Sequence, residues 1–304
     1  MENIKIAYVF PGQGSQYIGM GKDIYDAFQE AKTIFDQAEK ILGIEIKKFC
    51  FEGPIEILSR TDVSQPAIFT ASIACLEVLK RIKKDYIVIS SLGLSLGEYT
   101  ALVAAEAINF QDGLRLVQKR GQIMQQEADR NPGKMASVLG IDVENLEKVC
   151  QATNVEIANL NCPGQIVISG RSEDIEKAKE VAVSMGARRV IPLQVSGAFH
   201  SSYMKNASVL LKQELDKIKI LDSKIEVISN VTAKPEKDAN EIKSNLITQM
   251  YSRTKFQDSI LYLSGKGIKN FYEIGPGKVL KGLISKIDST CVVTNFDKTS
   301  DFIV

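Results

Sequence analysis

Histidine is almost missing from this chain: its 304 residues contain one, His200. That excludes His-based zinc motifs such as H-E-x-x-H, which need two on one helix face. Cysteine is sparse as well. Its five copies (Cys50, Cys75, Cys150, Cys162, Cys291) are odd in number, scattered and without a C-x-x-C pair, so they read as reduced core or half-buried thiols of a cytosolic protein. No apolar run reaches the length of about 18 residues that a membrane-spanning helix needs. Met1 to Lys5 leads straight into a short apolar run at 6–10, too short for a secretory leader. An excess of charge of one sign is absent too: 38 Lys plus Arg stand against 37 Asp plus Glu. No bulk field therefore favours nucleic acid or an anionic membrane, and any electrostatic docking must be local.

What is present is ordinary for a soluble globular protein, with 44% hydrophobic and 25% charged residues. The length suits one large domain, or a large domain carrying a smaller insert. Short apolar strands alternate with helical patterns. A strand is expected at 4–10, then the turn Pro11-Gly12-Gln13-Gly14-Ser15, helices at 23–42 and 65–82, a buried strand at 86–92, and helices at 98–107 and 111–129, the last with a cap around Asn109 to Asp112.

The texture changes at Asn131-Pro132-Gly133. Strand 134–141, helix 142–152, strands 155–159 and 165–169, helix 173–185 and strand 188–193 follow in the order βαββαβ, a ferredoxin-like split unit. Alternation then resumes with helix 202–218, strand 225–230, helices 241–250 and 256–266, strand 270–274 and helix 278–287. The expected architecture is α/β, with a largely parallel sheet in a core made of 1–130 and 200–304, interrupted by a small α+β subdomain at 131–199. A cleft between the two is the default place for a ligand.

Gly93-Leu94-Ser95-Leu96-Gly97 lies between a buried strand and a helix, the context of a nucleophile elbow. The serine is held out at a helix N-terminus, where the free N–H of Leu96 is available to a developing oxyanion. A structural turn is the plain alternative. A serine nucleophile needs a base, and His200, in Val195-Ser196-Gly197-Ala198-Phe199-His200-Ser201, is the only histidine that could serve. Its rival reading is a satisfied, half-buried histidine. No acid stands out as a third member. Pro11-Gly12-Gln13-Gly14-Ser15-Gln16 fails the dinucleotide fingerprint because Tyr17 stands where the third glycine belongs, and Gly275-Pro276-Gly277-Lys278-Val279 lacks the Ser/Thr of a phosphate loop. Leu116, Val117, Ile123 and Met124 make the face around Arg120 apolar, which allows partial burial, but the default reading is a surface or snorkelling arginine.

Together these pieces resemble the malonyl-CoA:acyl-carrier-protein transacylases of bacterial type II fatty acid synthesis, and the related acyltransferases of polyketide synthases. The resemblance runs from about Lys5 to about Ile287. It is carried by Phe10-Pro11-Gly12-Gln13-Gly14-Ser15-Gln16, Gly-x-Ser-Leu-Gly-Glu-Tyr at 93–99, Lys119-Arg120-Gly121, Gly197-Ala198-Phe199-His200-Ser201 and Glu273-Ile274-Gly275-Pro276-Gly277-Lys278-Val279-Leu280. It implies a hydrolase-like α/β core with a ferredoxin-like insert. It makes Ser95 the acyl-accepting nucleophile, His200 its base, and the backbone N–H groups of Gln13 and Leu96 the oxyanion hole. Arg120 would pair with the free malonyl carboxylate, and the backbone carbonyl of Gln249 would orient the histidine in place of a triad acid. Arg188 and Arg189 match positions implicated in docking the acidic carrier, to which Lys278 and Lys281 would add; a solvated basic face is the other reading of such pairs.

The substrates implied are malonyl-CoA and acyl carrier protein, with no metal or redox cofactor, in a cytoplasmic monomer. The sequence departs from the family at Leu94, where most members carry histidine. That neighbour is not the general base, so the departure touches acyl-pocket shape and hydrolysis, not the dyad. Phe199 before His200 is similar to malonyl-selective members. A trans-acting polyketide acyltransferase, a serine esterase or thioesterase and a catalytically dead binding module are the alternatives.

Overall fold

In a computed structural model, which describes residues 4–302, the chain forms two sheets. The leader reading rests partly on the first three residues, and the expected core segment ends on the last two; those positions lie outside the described residues. The strands are β1 (Ile4–Phe10), β2 (Tyr86–Gly93), β3 (Lys134–Leu139), β4 (Glu156–Cys162), β5 (Gln165–Gly170), β6 (Arg189–Pro192), β7 (Glu226–Ile228), β8 (Pro235–Glu236), β9 (Asn270–Ile274) and β10 (Val292–Phe296).

The larger sheet has the order β10-β9-β1-β2-β7-β8 and is parallel except for the last pair. Its centre is β1, whose last five residues, Ile6 to Phe10, are all buried. An unbroken apolar run suits a strand covered by helices on both faces. The smaller sheet has the order β4-β5-β3-β6 and is antiparallel throughout, with helices Val143–Thr153 and Ser172–Ser184 packed on it. This is a mixed α/β fold: a largely parallel sheet and a separate antiparallel βαββαβ unit. A bridge between Pro132 and Gly197 joins the two ends of that unit where the chain leaves and re-enters the larger sheet's layer.

Local expectations mostly hold to within a few residues. The helix over 111–129 forms as Phe110–Arg130, and Asn109 caps it by accepting from Asp112 N–H at 2.9 Å. The helix over 23–42 is in fact two, Lys22–Ala27 and Gln29–Leu42. Phe28 between them is extended and packs its ring on Phe302, with centroids 5.9 Å apart. The helix over 202–218 is a 3₁₀ turn, Ser202–Met204, followed by Lys205–Leu215. Helices Ile46–Glu52 and Ile55–Leu58 and the edge strands β8 and β10 were not anticipated. Each is short or bounded by exposed residues, so its apolar period is too brief to read.

Glu273, at the end of β9, accepts from Leu280 N–H (2.9 Å), Lys281 N–H (2.8 Å) and Asn295 Nδ2 (2.7 Å). That carboxylate satisfies the open N-terminus of helix Val279–Ile287. The Glu273-to-Leu280 motif is therefore a cap that locks a helix onto the sheet.

Candidate active site

Strand β2 ends at Gly93, and helix Leu96–Ala104 begins three residues later, so the change of direction falls on Leu94 and Ser95. Ser95 stands at φ 53°, ψ −101°, a conformation costly for a residue with a Cβ. The turn closes only because its flanks are glycine. A Cβ on Gly97 would stand 2.1 Å from Phe10 O, and one on Gly93 would stand 2.0 Å from Gly97 C. Leu94 N–H donates to Phe10 O at 3.1 Å, tying the turn to the end of β1. Asn230, just past β7, holds it from the other side. Its Oδ1 accepts from Ser95 N–H and its Nδ2 donates to Gly93 O, both at 2.7 Å.

His200 is the second strained residue, at φ 58°, and is buried. Its Nε2 lies 2.7 Å from Ser95 Oγ and its Nδ1 lies 2.8 Å from Gln249 O. A carbonyl only accepts, so Nδ1 carries the proton and Nε2 presents its lone pair to the serine. Ser95 Oγ in turn accepts from Arg120 Nη2 at 3.0 Å, which leaves its own hydrogen to point at His200. Burial first, and the Arg120 charge second, lower the His200 pKa to about 4. The imidazole is neutral at neutral pH and can take a proton.

Arg120, whose default reading is a surface or snorkelling arginine despite its apolar helix face, is 1% exposed. This correction comes from packing: helix Phe110–Arg130 runs against helix Thr61–Ile82, and the guanidinium turns inward to polar partners the local sequence does not show. It donates to Gln65 Oε1 (2.7 Å) and Gln249 Oε1 (3.0 Å) as well as to Ser95, and lies over the Tyr99 ring at 5.1 Å. Every one of these acceptors is neutral, so among the described residues no carboxylate lies directly against its positive charge.

Ser95, His200 and Arg120 share a cavity of about 130 Å³. Gly12, Gln13 and Leu94 line it from the parallel sheet's side; Met135, Asn159, Asn161, Val167 and Leu193 line it from the antiparallel unit, and Phe199 closes it. Leu94 thus supplies apolar wall where the family resemblance expects imidazole. The Gln13 side chain is fixed on Thr61 Oγ1 at 3.3 Å. Gly97 and Glu98 N–H groups turn back to Leu94 O (3.0 Å) and Ser95 O (3.1 Å), whereas Leu96, at the first helical position, has no carbonyl one turn earlier to meet.

The two halves of the cleft are tied beside the histidine. Asn159 Nδ2 donates to Thr254 Oγ1 at 2.7 Å, Thr254 N–H donates to Ala158 O at 2.8 Å, and Glu156 accepts from Ser202 N–H and hydroxyl. Arg188 and Arg189 are exposed and line no part of this cavity; Lys278 and Lys281 are exposed too. Sequence reasoning missed Asn230, Gln65 and Glu98. Glu98 alone carried a signal, as an acid placed on the first turn of an otherwise apolar helix.

The arrangement combines a deprotonatable serine, a neutral imidazole and a charged guanidinium at the foot of a small, mostly apolar cavity. Among the described residues no group of three His, Cys, Asp or Glu is placed to hold a metal ion, and no helix is long and apolar enough to cross a membrane. Comparison with known proteins agrees with the geometry. The acyl transferase domain family matches residues 7–290. A malonyl CoA-acyl carrier protein transacylase of Bacillus subtilis (strain 168) is 48% identical over 291 residues, 93% of this chain and 90% of that protein. The crystal structure of a malonyl CoA-acyl carrier protein transacylase from Clostridium perfringens is 39% identical, with a TM-score of 0.91 over 98% of this chain and 94% of that one. A malonyl-transacylase in complex with a type II PKS acyl-carrier protein is 34% identical, with a TM-score of 0.95 over 98% and 97% of the two chains. The chain belongs to the acyl transferase family, among the malonyl CoA-acyl carrier protein transacylases.

Proposed function

We propose that this chain moves a malonyl group from malonyl-CoA to the phosphopantetheine thiol of an acyl carrier protein in fatty acid synthesis, through malonyl-Ser95. His200 Nε2 takes the Ser95 proton as Oγ attacks the thioester carbonyl. The oxyanion rests against the N–H groups of Gln13 and Leu96, each such donor contributing about 3 kcal/mol of barrier reduction in comparable sites. CoA departs as the thiol with that proton. The carrier thiol then attacks the acyl-serine with His200 again as base, and Ser95 recovers its hydrogen.

The observation that carries the reading is Arg120, buried in the acyl cavity 3.0 Å from Ser95 Oγ, with no carboxylate of the described residues directly against its charge. A hydrolase of neutral esters has no use for it. A malonyl carboxylate gives the guanidinium an ionic partner, and an acetyl group does not. Gln249 O takes the place of a triad acid: it fixes the tautomer of His200, and the imidazolium formed in each step is opposed by no full negative charge. Every step uses side chains and backbone, so the reading calls on no cofactor. The separate antiparallel unit, with its own packed interior, supports reading 131–199 as a subdomain inserted between 1–130 and 200–304. The five cysteines are unpaired thiols, in keeping with a cytoplasmic location.

Intact-mass measurement after mixing with malonyl-CoA tests the reading. A malonyl adduct of roughly 86 Da is expected on the wild type, by the acyl-enzyme logic, and none on Ser95→Ala. Its loss on adding holo carrier, with malonyl appearing on the carrier and not in solution, separates transfer from hydrolysis. Offering fatty acid and polyketide carriers in competition decides the pathway served.

A further inference from the structure

Two buried acids lie behind the catalytic residues, and the reaction as derived uses neither. Glu98 is 0% exposed and Glu236 is 1% exposed. Glu98 Oε2 accepts from Gln249 Nε2 (2.6 Å) and Asn230 N–H (3.1 Å); Glu236 Oε2 accepts from Asn245 Nδ2 (2.5 Å). Among the described residues, the other oxygen of each, Glu98 Oε1 and Glu236 Oε1, meets no N–H or hydroxyl, and each acid is a close hydrogen-bonding and electrostatic neighbour of the other. Two carboxylates cannot both stay charged in a dry contact, and one proton between them satisfies both orphaned oxygens.

We propose that Glu98 and Glu236 share a single proton, carried by Glu236, and that this acid–carboxylate pair is a positioning element that sets Gln249 against His200 and Arg120. The groups facing the pair decide which partner holds the proton. Arg120, on helix Phe110–Arg130, favours charge on Glu98, which also accepts two N–H bonds. Glu241, on helix Ala239–Gln249, disfavours charge on Glu236, whose one other partner is a neutral amide. Tyr99, beside Glu98, is held neutral by burial, and His200 stands on the far side of Gln249. Burial is the largest cause raising both carboxyls, and Glu236 is raised further.

The consequence runs through one amide. Gln249 Oε1 accepts from Arg120 at 3.0 Å, and its Nε2 donates to Glu98 and, at 3.1 Å, to Ser95 O. It is thus held between a cation and an anion. Gln249 closes its helix, and that clamp fixes the carbonyl oxygen that receives His200 Nδ1–H. Were both acids ionised, repulsion would drive β8 and helix Leu96–Ala104 apart and loosen the clamp. Were both protonated, the anion opposite Arg120 would vanish. The positioning half of this inference rests on the Ser95–His200 reading above; the shared proton does not.

Infrared spectra of the whole chain test the proton directly. At neutral pH, wild type minus Glu236→Gln is expected to show one protonated-carboxyl band; no such band overturns the shared proton, whatever reaction the enzyme performs. Glu236→Gln still donates to Glu98 Oε1, so its kcat should stay within about twofold of wild type near pH 7. The wild-type loss of melting temperature from about pH 6 to about pH 9 should shrink in this variant, because the folded acid retains a proton that the unfolded one releases. Glu236→Leu fills the space without donating; its kcat should fall about tenfold or more with KM for malonyl-CoA nearly constant. A Gln variant as impaired as the Leu variant, or a Leu variant with wild-type kcat, overturns the positioning role. If the Leu variant does not fold, an identical pH slope of melting temperature in wild type and Glu236→Gln overturns the pair instead. Turnover by Ser95→Ala would sink the serine reading and leave the infrared result standing.

Discussion

Arg120 Nη2 and Ser95 Oγ are 3.0 Å apart, so the guanidinium that would bind substrate also touches the proposed nucleophile in the free enzyme. The two contacts are alternatives in sequence. Before acylation Arg120 helps keep the serine hydrogen on the His200 side. Under the proposed reaction, the malonyl carboxylate would afterwards supply the ionic partner that Gln65 and Gln249, being neutral, do not.

Arg120→Ala should therefore lower kcat/KM for malonyl loading by about 10- to 100-fold, the range expected for lost charge-assisted hydrogen bonds. Acetyl loading should fall far less. Arg120→Lys should not rescue it, since a point charge cannot hold Gln65, Gln249 and a carboxylate together. Competition between labelled malonyl-CoA and acetyl-CoA reads the ratio, and unchanged selectivity removes Arg120 from the carboxylate role.

The pH dependence has a definite sign. With the free-enzyme His200 pKa lowered to about 4, the acid limb of kcat/KM should lie near pH 4. Removing the Arg120 charge removes one of the two causes of that lowering, so the limb of Arg120→Ala should move to higher pH. A limb that stays put means the two groups do not interact. The same burial makes stability fall as pH drops from about 6.5 to about 4, where an unfolded histidine takes a proton and the folded one does not. That contribution is about 3 kcal/mol and is complete below the folded pKa. A His200→Gln variant should lack this part of the slope in denaturant titrations.

Asn230→Ala should destabilise the fold by about 2–4 kcal/mol, because it strips partners from both Ser95 N–H and Gly93 O at the elbow. It should also lower kcat more than it changes KM, since the elbow that aims Ser95 is loosened while the cavity wall stays. Urea midpoints and steady-state rates check the two halves. A variant with wild-type kcat would show that Phe10 and the flanking glycines hold the turn unaided.

Charge reversal at Arg188 and Arg189 should raise KM for the carrier protein several-fold and flatten its dependence on ionic strength, while leaving malonyl loading of Ser95 unaltered. Both side chains are exposed and outside the acyl cavity, so a defect in loading would count against a docking role.

The strand–serine–helix context, the βαββαβ order and the pairing of Ser95 with the only histidine were legible in the chain, because apolar period and glycine placement are local properties. Gln249 and Arg120 were legible as roles only through family resemblance; their own surroundings in sequence are an unremarkable helix end and an apolar helix face on which a snorkelling arginine is the ordinary reading. Asn230, Gln65 and Glu236 were not legible at all. Each acts on a residue 55 or more positions away, or on another acid, and nothing in its neighbours records the partner.

By itself, the sequence placed a serine at a glycine-flanked strand-to-helix turn, because Gly93 and Gly97 let two backbones crowd there, and made His200 the one imidazole available to it. Tertiary structure decided everything about charge. It buried Arg120 among neutral acceptors, set a carbonyl where a triad acid would sit, and pressed Glu98 against Glu236. Burial and the distance between charges are properties of the packed chain, and they set which of these groups holds a proton.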